Sequence, residues 1–356
     1  MSVSPGGGGQ GRNGSRLTIR QVAELAGVSA ATVSRVMNGR ADVSDRARDA
    51  VMRVVHEQRY SNDRTRHGLS AAPTGLIGVT SPVLHPAYFS VILSGAGEAL
   101  YEHDMRMVLC PTYHEHDREV TLLERLMQGT TDGALLVLPE ESGEELAALG
   151  EHGYPFVVVD PHVSPGEHVA TVSAANSSGA TEAVKHLLAL GHRRIAVVTG
   201  PRGWIATEER LRGYHAALAA TGVMPSAELE IQGDFQMDGG HRALARLLDL
   251  DEPPTAIFAF NDMLAIGAIQ AARARGLRIP DDLSIVGFDD TVEASVVSPA
   301  LTTVRQPLAE MGRMGVALLV RLMAHQRIDA PQIELKTQLI VRDSTAPPAR
   351  VPRPVG

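Results

Sequence analysis

The stretch from Thr18 to Asn38, TIRQVAELAGVSAATVSRVMN, constrains the fold more tightly than any other part of the chain. Val22, Ala23 and Ala26 recur at helical spacing, and Val33, Val36 and Met37 do so again after Gly27. The pattern predicts two short amphipathic helices facing each other across a tight turn. Ala23 is small where the second helix must approach, Gly27 can take the positive φ of a helix C-terminal turn, and Ser29 stands where it can cap the next helix. A helix-turn-helix meets all of these conditions. So does an ordinary αα-hairpin packed into a core, and only the surrounding sequence separates the two.

Charge favours the first. The chain carries −8 overall, yet residues 1 to 74 hold eleven Arg, no Lys and six acids, a net +5, which leaves −13 on the remainder. A cationic head joined to an acidic body directs phosphate to the head alone.

Residues 1 to 16 are Gly-rich without hydrophobic period and predict a disordered tail. Beyond the helix pair, Ser44 can cap a third helix whose apolar stripe is Ala47, Val51, Val54 and Val55, completing an all-α headpiece over 17 to 60. Residues 61 to 74, polar and Arg-rich, with Gly68, Pro73 and a lone Leu69, form a linker.

From Leu76 the grammar changes. Short apolar runs (76 to 80, 107 to 111, 134 to 138, 156 to 160) alternate with helical patterns such as 89 to 101 and 117 to 127. The alternation then repeats: helix 176 to 190, strand 195 to 199, helix 208 to 220, strand-like 229 to 233, helix 240 to 248, strand 256 to 260, helix 263 to 275, strand 284 to 288. Continuous apolar strands joined by helices imply parallel sheets covered on both faces, here two successive sheets and hence a two-lobed α/β domain over 75 to 345 with a cleft between the lobes. Residues 346 to 356 form a C-terminal tail. With 44% hydrophobic but only 4% aromatic residues, the cores must be aliphatic.

Ligands of such sheets bind beyond the carboxyl ends of the strands. The residues there are His85, Tyr88, Asp160, Trp204, Phe235, Asn261 with Asp262, and Asp289 with Asp290. Carboxylates and amides suit hydroxyl groups and aromatic rings cover apolar faces, so a polyhydroxylated or heterocyclic ligand fits. Each also has a plainer role open to it: Asp160 or Asn261 as helix caps, Trp204 or Phe235 as core.

Several classes are excluded or disfavoured. No GxSxG elbow, Walker loop or GxGxxG after the first strand is present, and Asp289 and Asp290, being adjacent, do not form an automatic acid/base pair. An enzyme is therefore not expected, and no cofactor. Cys110, the single cysteine, lies in an apolar run and is expected to be buried and inert. The fourteen histidines show no HExxH spacing, and His114 and His116 read as solvated loop residues rather than metal ligands. With no bilayer-length apolar run and no secretory signal, the protein is expected in the cytoplasm.

The same residues resemble the LacI/GalR family of bacterial transcriptional repressors. The resemblance rests on AGVS at 26 to 29 and TVSRVMN at 32 to 38, then GHRRIAVVTGP at 191 to 201, ERLRGY at 209 to 214, FNDMLAIGAIQAARARGLRIPDDLSIVGFDD at 260 to 290 and LTTVRQP at 301 to 307. It implies a body similar to sugar-binding periplasmic proteins, its lobes joined by three crossovers, with 76 to 174 and 306 to 335 in the N-lobe and 176 to 303 and 337 to 345 in the C-lobe. In the family the second head helix enters the major groove. That places Ala30, Ala31 and Arg35 at base-reading positions, and Thr18, Thr32 and Ser34 at phosphates, with Ser29 and Asn38 in the same DNA-facing set. Arg35 is the natural bidentate donor to guanine, whereas two alanines offer apolar contact only. Leu69 matches the leucine that wedges into the minor groove, and Arg66 can enter that groove beside it. The surrounding hinge departs from the family pattern at Asn62, Asp63, Arg66 and His67, and Gly68 weakens a hinge helix by roughly 1 kcal/mol.

For the cleft, the resemblance implies that Arg210 clamps the ligand, with Phe235, Asn261 and Asp289 as further contacts. Asp160 is a weaker match, Tyr88 joins the set by its strand-end position, and Trp204 is an aromatic fit to stack on a sugar. Ala175 stands where the family usually has Asp. The implied protein is a homodimeric repressor on a palindromic operator, governed by a small effector, a sugar before a purine or other heterocycle. The alternatives from other classes are a solute-binding transport component and a sugar-modifying enzyme. Replacing Arg35 with Ala is expected to abolish preference for the operator over unrelated DNA, measured by binding to both at fixed salt.

Overall fold

The computed structural model describes residues 19–37, 44, 47–48, 50–51, 54, 73–83 and 87–348. The chain divides into two compact units, Met1–Ala72 and Pro73–Gly356.

In the first unit, α1 (Ile19–Ala26) and α2 (Ala30–Met37) are helices of eight residues each. Gly27 adopts φ +65°. The Val28 N–H then donates back to the Ala23 carbonyl at 3.0 Å and the Gly27 N–H to that of Glu24 at 3.4 Å. This paired closure satisfies carbonyls that α1 would otherwise leave bare, and it requires the left-handed conformation that Gly adopts without a Cβ penalty. Ser29 Oγ accepts from the Thr32 N–H at 3.1 Å, capping α2 three residues in. Residues 47, 48, 50, 51 and 54 are helical, and the Ser44 carbonyl accepts from the N–H of Arg48 at 3.0 Å. Val22, Ala23, Val33, Val36, Val51 and Val54 bury one another in a small core. The spacing therefore makes a helix-turn-helix supported by a third helical segment. Val55 and the linker lie outside the described residues.

The second unit holds two six-stranded sheets. The first is built from β1 (Leu76–Ser81), β2 (Arg106–Pro111), β3 (Gly133–Val137), β4 (Phe156–Val159), β5 (Thr171–Ala174) and β11 (Gln332–Leu335), in the order β11-β5-β4-β3-β1-β2, with every pair parallel. The second is built from β6 (Ile195–Thr199), β7 (Glu230–Gln232), β8 (Ala256–Ala259), β9 (Ser284–Asp289), β10 (Thr302–Arg305) and β12 (Gln338–Ile340), in the order β12-β10-β9-β8-β6-β7, with only the β10–β12 pair antiparallel. The chain passes between the sheets after β5, β10 and β11, as the resemblance implies. Central strands such as β3, β4 and β8 are buried at every position, which is why their sequences run apolar without alternation.

Helices cover both faces: α3 (Ala87–Glu102), α4 (His116–Arg125), α5 (Gly143–Glu151) and α11 (Leu308–Met323) on the first sheet, α6 (Asn176–Ala189), α7 (Ile205–Ala220), α8 (Met237–Leu248) and α9 (Asp262–Ala274) on the second, with the short α10 (Val292–Val296) after β9. The apolar pattern does not single out α5. Its start signal is polar: Ser142 Oγ accepts from the Glu145 N–H at 3.3 Å while the Glu145 carboxylate accepts from the Ser142 N–H at 2.8 Å. Helix α7 begins three residues before the expected Glu208, because its first turn is anchored by tertiary contact rather than by a sequence cap.

Cys110 is half-buried rather than buried, since β2 is an edge strand that the sheet covers on one side only. His114 and His116 are solvated, with side chains 48% and 42% exposed, and pair with Glu140 at 2.7 Å and Glu145 at 3.1 Å; His116 opens α4 rather than lying in a loop. Among the described residues no helix is long and apolar enough to cross a membrane.

A close helix contact joins the ends of the first lobe, α3 against α11. A Cβ on Gly95 would come within 2.0 Å of the Ala309 carbonyl oxygen, and one on Gly312 within 2.1 Å of that of Ile92. Both obstacles are backbone, so neither helix can yield locally. Gly312→Ala is expected to lower the body's unfolding free energy by at least about 1–3 kcal/mol, read from denaturant titration.

Candidate effector cleft and DNA-reading head

The cleft lies at the carboxyl ends of the strands of both lobes. On the N-lobe side, Asp160 follows β4 with φ +56° and is buried, and the Tyr88 hydroxyl at the start of α3 donates to its Oδ2 at 2.6 Å. Burial raises the pKa of both groups, and for Asp160 the hydrogen bond from Tyr88 works against that rise. Asp160 therefore faces the cleft and does not cap a helix.

On the C-lobe side the centre is Arg210, buried on α7. Its Nε donates to Asn176 Oδ1 at 2.9 Å, Nη1 donates to the Phe260 carbonyl, and its guanidinium lies over the Phe288 ring at 3.8 Å from the centroid. Burying a guanidinium demands partners, and here a crossover residue and a strand-end carbonyl each take a donor while an aromatic face covers the cation. Asp289 ends β9 with φ +124°, followed by Asp290 at +59°. Gln306, on the β10–α11 crossover, donates Nε2 to Asp289 Oδ1 at 2.7 Å. Burial pushes the Asp289 pKa up to about 7, with nearby Arg210 acting to lower it. Asp290 turns away and takes Arg305 and Arg342 at 2.6 and 2.5 Å, so the two aspartates do not converge.

Asn261 plays the plain role: Oδ1 accepts from the Leu264 N–H at 2.8 Å, capping α9, while Nδ2 donates to the Phe235 carbonyl at 3.0 Å. It thereby fixes Phe235, which sits at φ +61°. Asp262 is fully buried, accepting from Thr303 Oγ1 at 2.5 Å and the Thr291 N–H at 2.9 Å. It braces the corner that carries Asp289. A non-glycine residue held at positive φ marks a position where surrounding structure overrides local preference. Asp160, Phe235 and Asp289 are all of this kind.

The aromatic pair spans the lobes. Trp204 packs against the first-sheet core and Phe235 against both cores of the second, with ring centroids 5.6 Å apart. His162, in the loop after β4, lies 5.4 Å from Trp204, and its carbonyl accepts from the Ile205 N–H at 2.9 Å. That bond takes one of the open donors at the start of α7.

Tyr88, Asp160, Trp204, Arg210, Phe235 and Asp289 thus share one region, with Asn261 behind Phe235; His85 lies outside the described residues. Sequence position alone does not mark Asn176, His162, Phe288 and Gln306 as part of this region. Gln306 and Phe288 stand inside the quoted LTTVRQP and IVGFDD segments, but only three-dimensional crossing of the chain turns them toward Arg210 and Asp289. Among the described residues no group of three or more His, Cys, Asp or Glu could hold a metal ion.

In the head, Ser29 and Thr32 form the cap of α2, their hydroxyls 2.8 Å apart. Ala31 is exposed, and Ala30, Ser34 and Arg35 are carried on the same helix. Thr18, Asn38, Arg66 and Leu69 lie outside the described residues.

A helix-turn-helix unit joined in one chain to a two-sheet binding body defines a ligand-linked DNA-binding regulator. Residues 18–63 match the profile described as "Bacterial regulatory proteins, lacI family", and residues 184–345 that of a periplasmic binding protein-like domain. The chain is 36% identical to the HTH-type transcriptional regulator DegA of Bacillus subtilis, covering 93% of this chain and 99% of that protein. It is 33% identical to the HTH-type transcriptional repressor PurR of Proteus mirabilis, covering 92% and 97%. A solved structure titled as a transcriptional regulator CelR–cellobiose complex superposes with a TM-score of 0.71 at 34% identity, covering 92% of this chain and all of that one. The chain belongs to the LacI family of bacterial transcriptional regulators.

The raised pKa of Asp289 carries a sign. The folded state favours the protonated carboxyl, so its contribution to stability is full below the unfolded value near ~4 and is lost as the pH rises through about 7. Asp289→Asn keeps an acceptor for Gln306 without the charge. Its thermal midpoint is expected to match the parent at low pH, exceed it increasingly as the pH approaches neutrality, and hold a constant gap beyond.

Proposed function

We propose that the protein is a repressor that binds a palindromic operator as a homodimer and releases or engages it according to a sugar held in the interlobe cleft. The observation that carries the effector class is the meeting of acceptors and aromatic faces across the cleft. Asp160 and Asp289 approach from opposite lobes, each with only one carboxylate oxygen taken by a side-chain donor within the protein, while Trp204 and Phe235 bring ring faces together. Buried carboxylate oxygens with spare acceptor capacity suit the hydroxyls of a polyol, and tilted aromatic rings suit the apolar face of a pyranose. Among the described residues, Gln306 Oε1 beside Asp289 and Thr207 Oγ1 on the first turn of α7 are buried without a hydrogen-bond partner. A hydroxyl can satisfy either. The similarity to a regulator solved with cellobiose points the same way.

Coupling follows from the crossovers. Ligand that grips Asp160 and Arg210 together biases the angle between the lobes, and the angle fixes the separation of the two linkers in a dimer. Each tenfold change in operator affinity needs about 1.4 kcal/mol of differential effector binding between the two lobe arrangements.

On this reading, Arg35, Ala30 and Ala31 read bases, Thr18, Ser29, Thr32, Ser34 and Asn38 position the head, and Arg66 and Leu69 act in the minor groove. A panel of mono- and disaccharides and nucleobases, scored by thermal stabilisation, tests the effector class. Stabilisation by one or more sugars is expected, and a response to nucleobases alone overturns it. Arg210→Ala is expected to leave operator binding in place and remove the response of that binding to the stabilising sugar. Retention of the full response would show that the cleft is not the effector site.

A further inference from the structure

Two buried carboxyls outside the cleft machinery face each other in the first lobe. Leu126 packs over Gly78 on one face of β1. Glu119, two helical turns before it on the same side of α4, reaches Thr80 farther along the strand. Glu119 is 1% exposed, and its Oε2 accepts from the Glu140 N–H at 2.9 Å. Glu141 is 3% exposed, lies against Glu119, and neither of its carboxylate oxygens has a hydrogen-bond partner among the described residues. Among the described residues, Thr80 Oγ1, beside Glu119, and Thr112 Oγ1 are buried outside hydrogen-bonding geometry.

Two adjacent buried carboxylates oppose each other's ionisation, because desolvation and mutual repulsion both work against the second charge. Among the described residues, His116 is the neighbouring group that favours the Glu119 anion, and the others oppose it or are already paired. From α4, His116 is held by Glu145 of α5; from the loop before it, His114 is held by Glu140; Glu140 and Glu145 themselves add negative charge.

We propose that Glu119 and Glu141 bind one proton between them, and that losing it loosens the 138–145 corner of the N-lobe, making the protein's effector cleft sensitive to proton concentration. In the protonated pair one carboxyl O–H donates to the other's oxygen, which gives Glu141 the partner it lacks. On release the proton passes to solvent and leaves two anions in contact. The corner stands where that matters: β3 runs between β1 and β4, so residues 138–141 emerge between the strand that precedes Tyr88 and the one that precedes Asp160. Leu138, at φ +48°, donates its N–H to the Val159 carbonyl at 2.9 Å, coupling the corner directly to the strand that ends at Asp160.

Burial and the neighbouring Glu119 push the Glu141 pKa up to about 8. Stability from the shared proton is therefore full in acid and is lost as the pH rises through that value. The test uses the full chain without effector or DNA, so it stands apart from the effector assignment. Above about pH 7, where the loss from Asp289 is complete, the thermal midpoint of the parent is expected to go on falling to about pH 8, and Glu141→Gln, which offers Glu119 a permanent N–H donor, is expected to remove that part of the fall. Carbon-13 carboxyl titration of the unmodified protein supplies a measurement that needs no variant. One of the two glutamates should release its proton well above the ordinary carboxyl range, with the signals of both moving together. Two independent titrations near ~4–5 overturn the proposal. So do parallel midpoint profiles for parent and variant, or an alkaline loss reversed by added calcium, magnesium or potassium in the parent but not in Glu141→Gln, which would make a cation the shared ligand.

Discussion

The cleft side of the second lobe is organised around a single buried guanidinium. Arg210 draws together a residue from the first crossover, the carbonyl that ends β8 and a ring from β9, three elements distant in sequence. An unpaired charge in that position would cost several kcal/mol, so each partner is fixed as firmly as the arginine. The arrangement also explains how carboxyls from opposite lobes, Asp160 and Asp289, can be buried within range of one cation. Binding polarity and architecture are thus the same interaction.

Much of this was legible in the sequence because the fold writes itself in backbone physics. Strands buried on both faces must be apolar throughout, and β3, β4, β6 and β8 read as such; Gly27 and Ser29 mark the turn and cap of the head because few other residues serve there. What stayed hidden depended on chain crossings. Helix α5 starts on a polar capping box, and β5, TVSA, carries too little apolar signal to declare a strand. Asn176, Phe288 and Gln306 gain meaning only beside Arg210 and Asp289. Asn261, marked as a ligand residue by its position, spends both ends of its amide within the protein, so its link to the cleft runs through Phe235.

The head illustrates the opposite economy. Among the described residues its core is built on six buried aliphatic side chains, and its turn is fixed by main-chain closure at Gly27 and one hydroxyl at Ser29. Val33 and Val36 are the α2 side chains that enter this core, while Ala31 on the same helix is exposed.

The hydrogen bond from the Ile205 N–H to the His162 carbonyl joins the lobes through main-chain atoms alone. Such a latch is blind to the identity of the side chains around it. The groups that choose a ligand can therefore be exchanged without redesigning the point at which the lobes meet, and any residue but proline at 205 preserves the donor. Recognition and closure occupy the same few positions yet are written in different parts of the residue, one in the side chain and the other in the peptide unit.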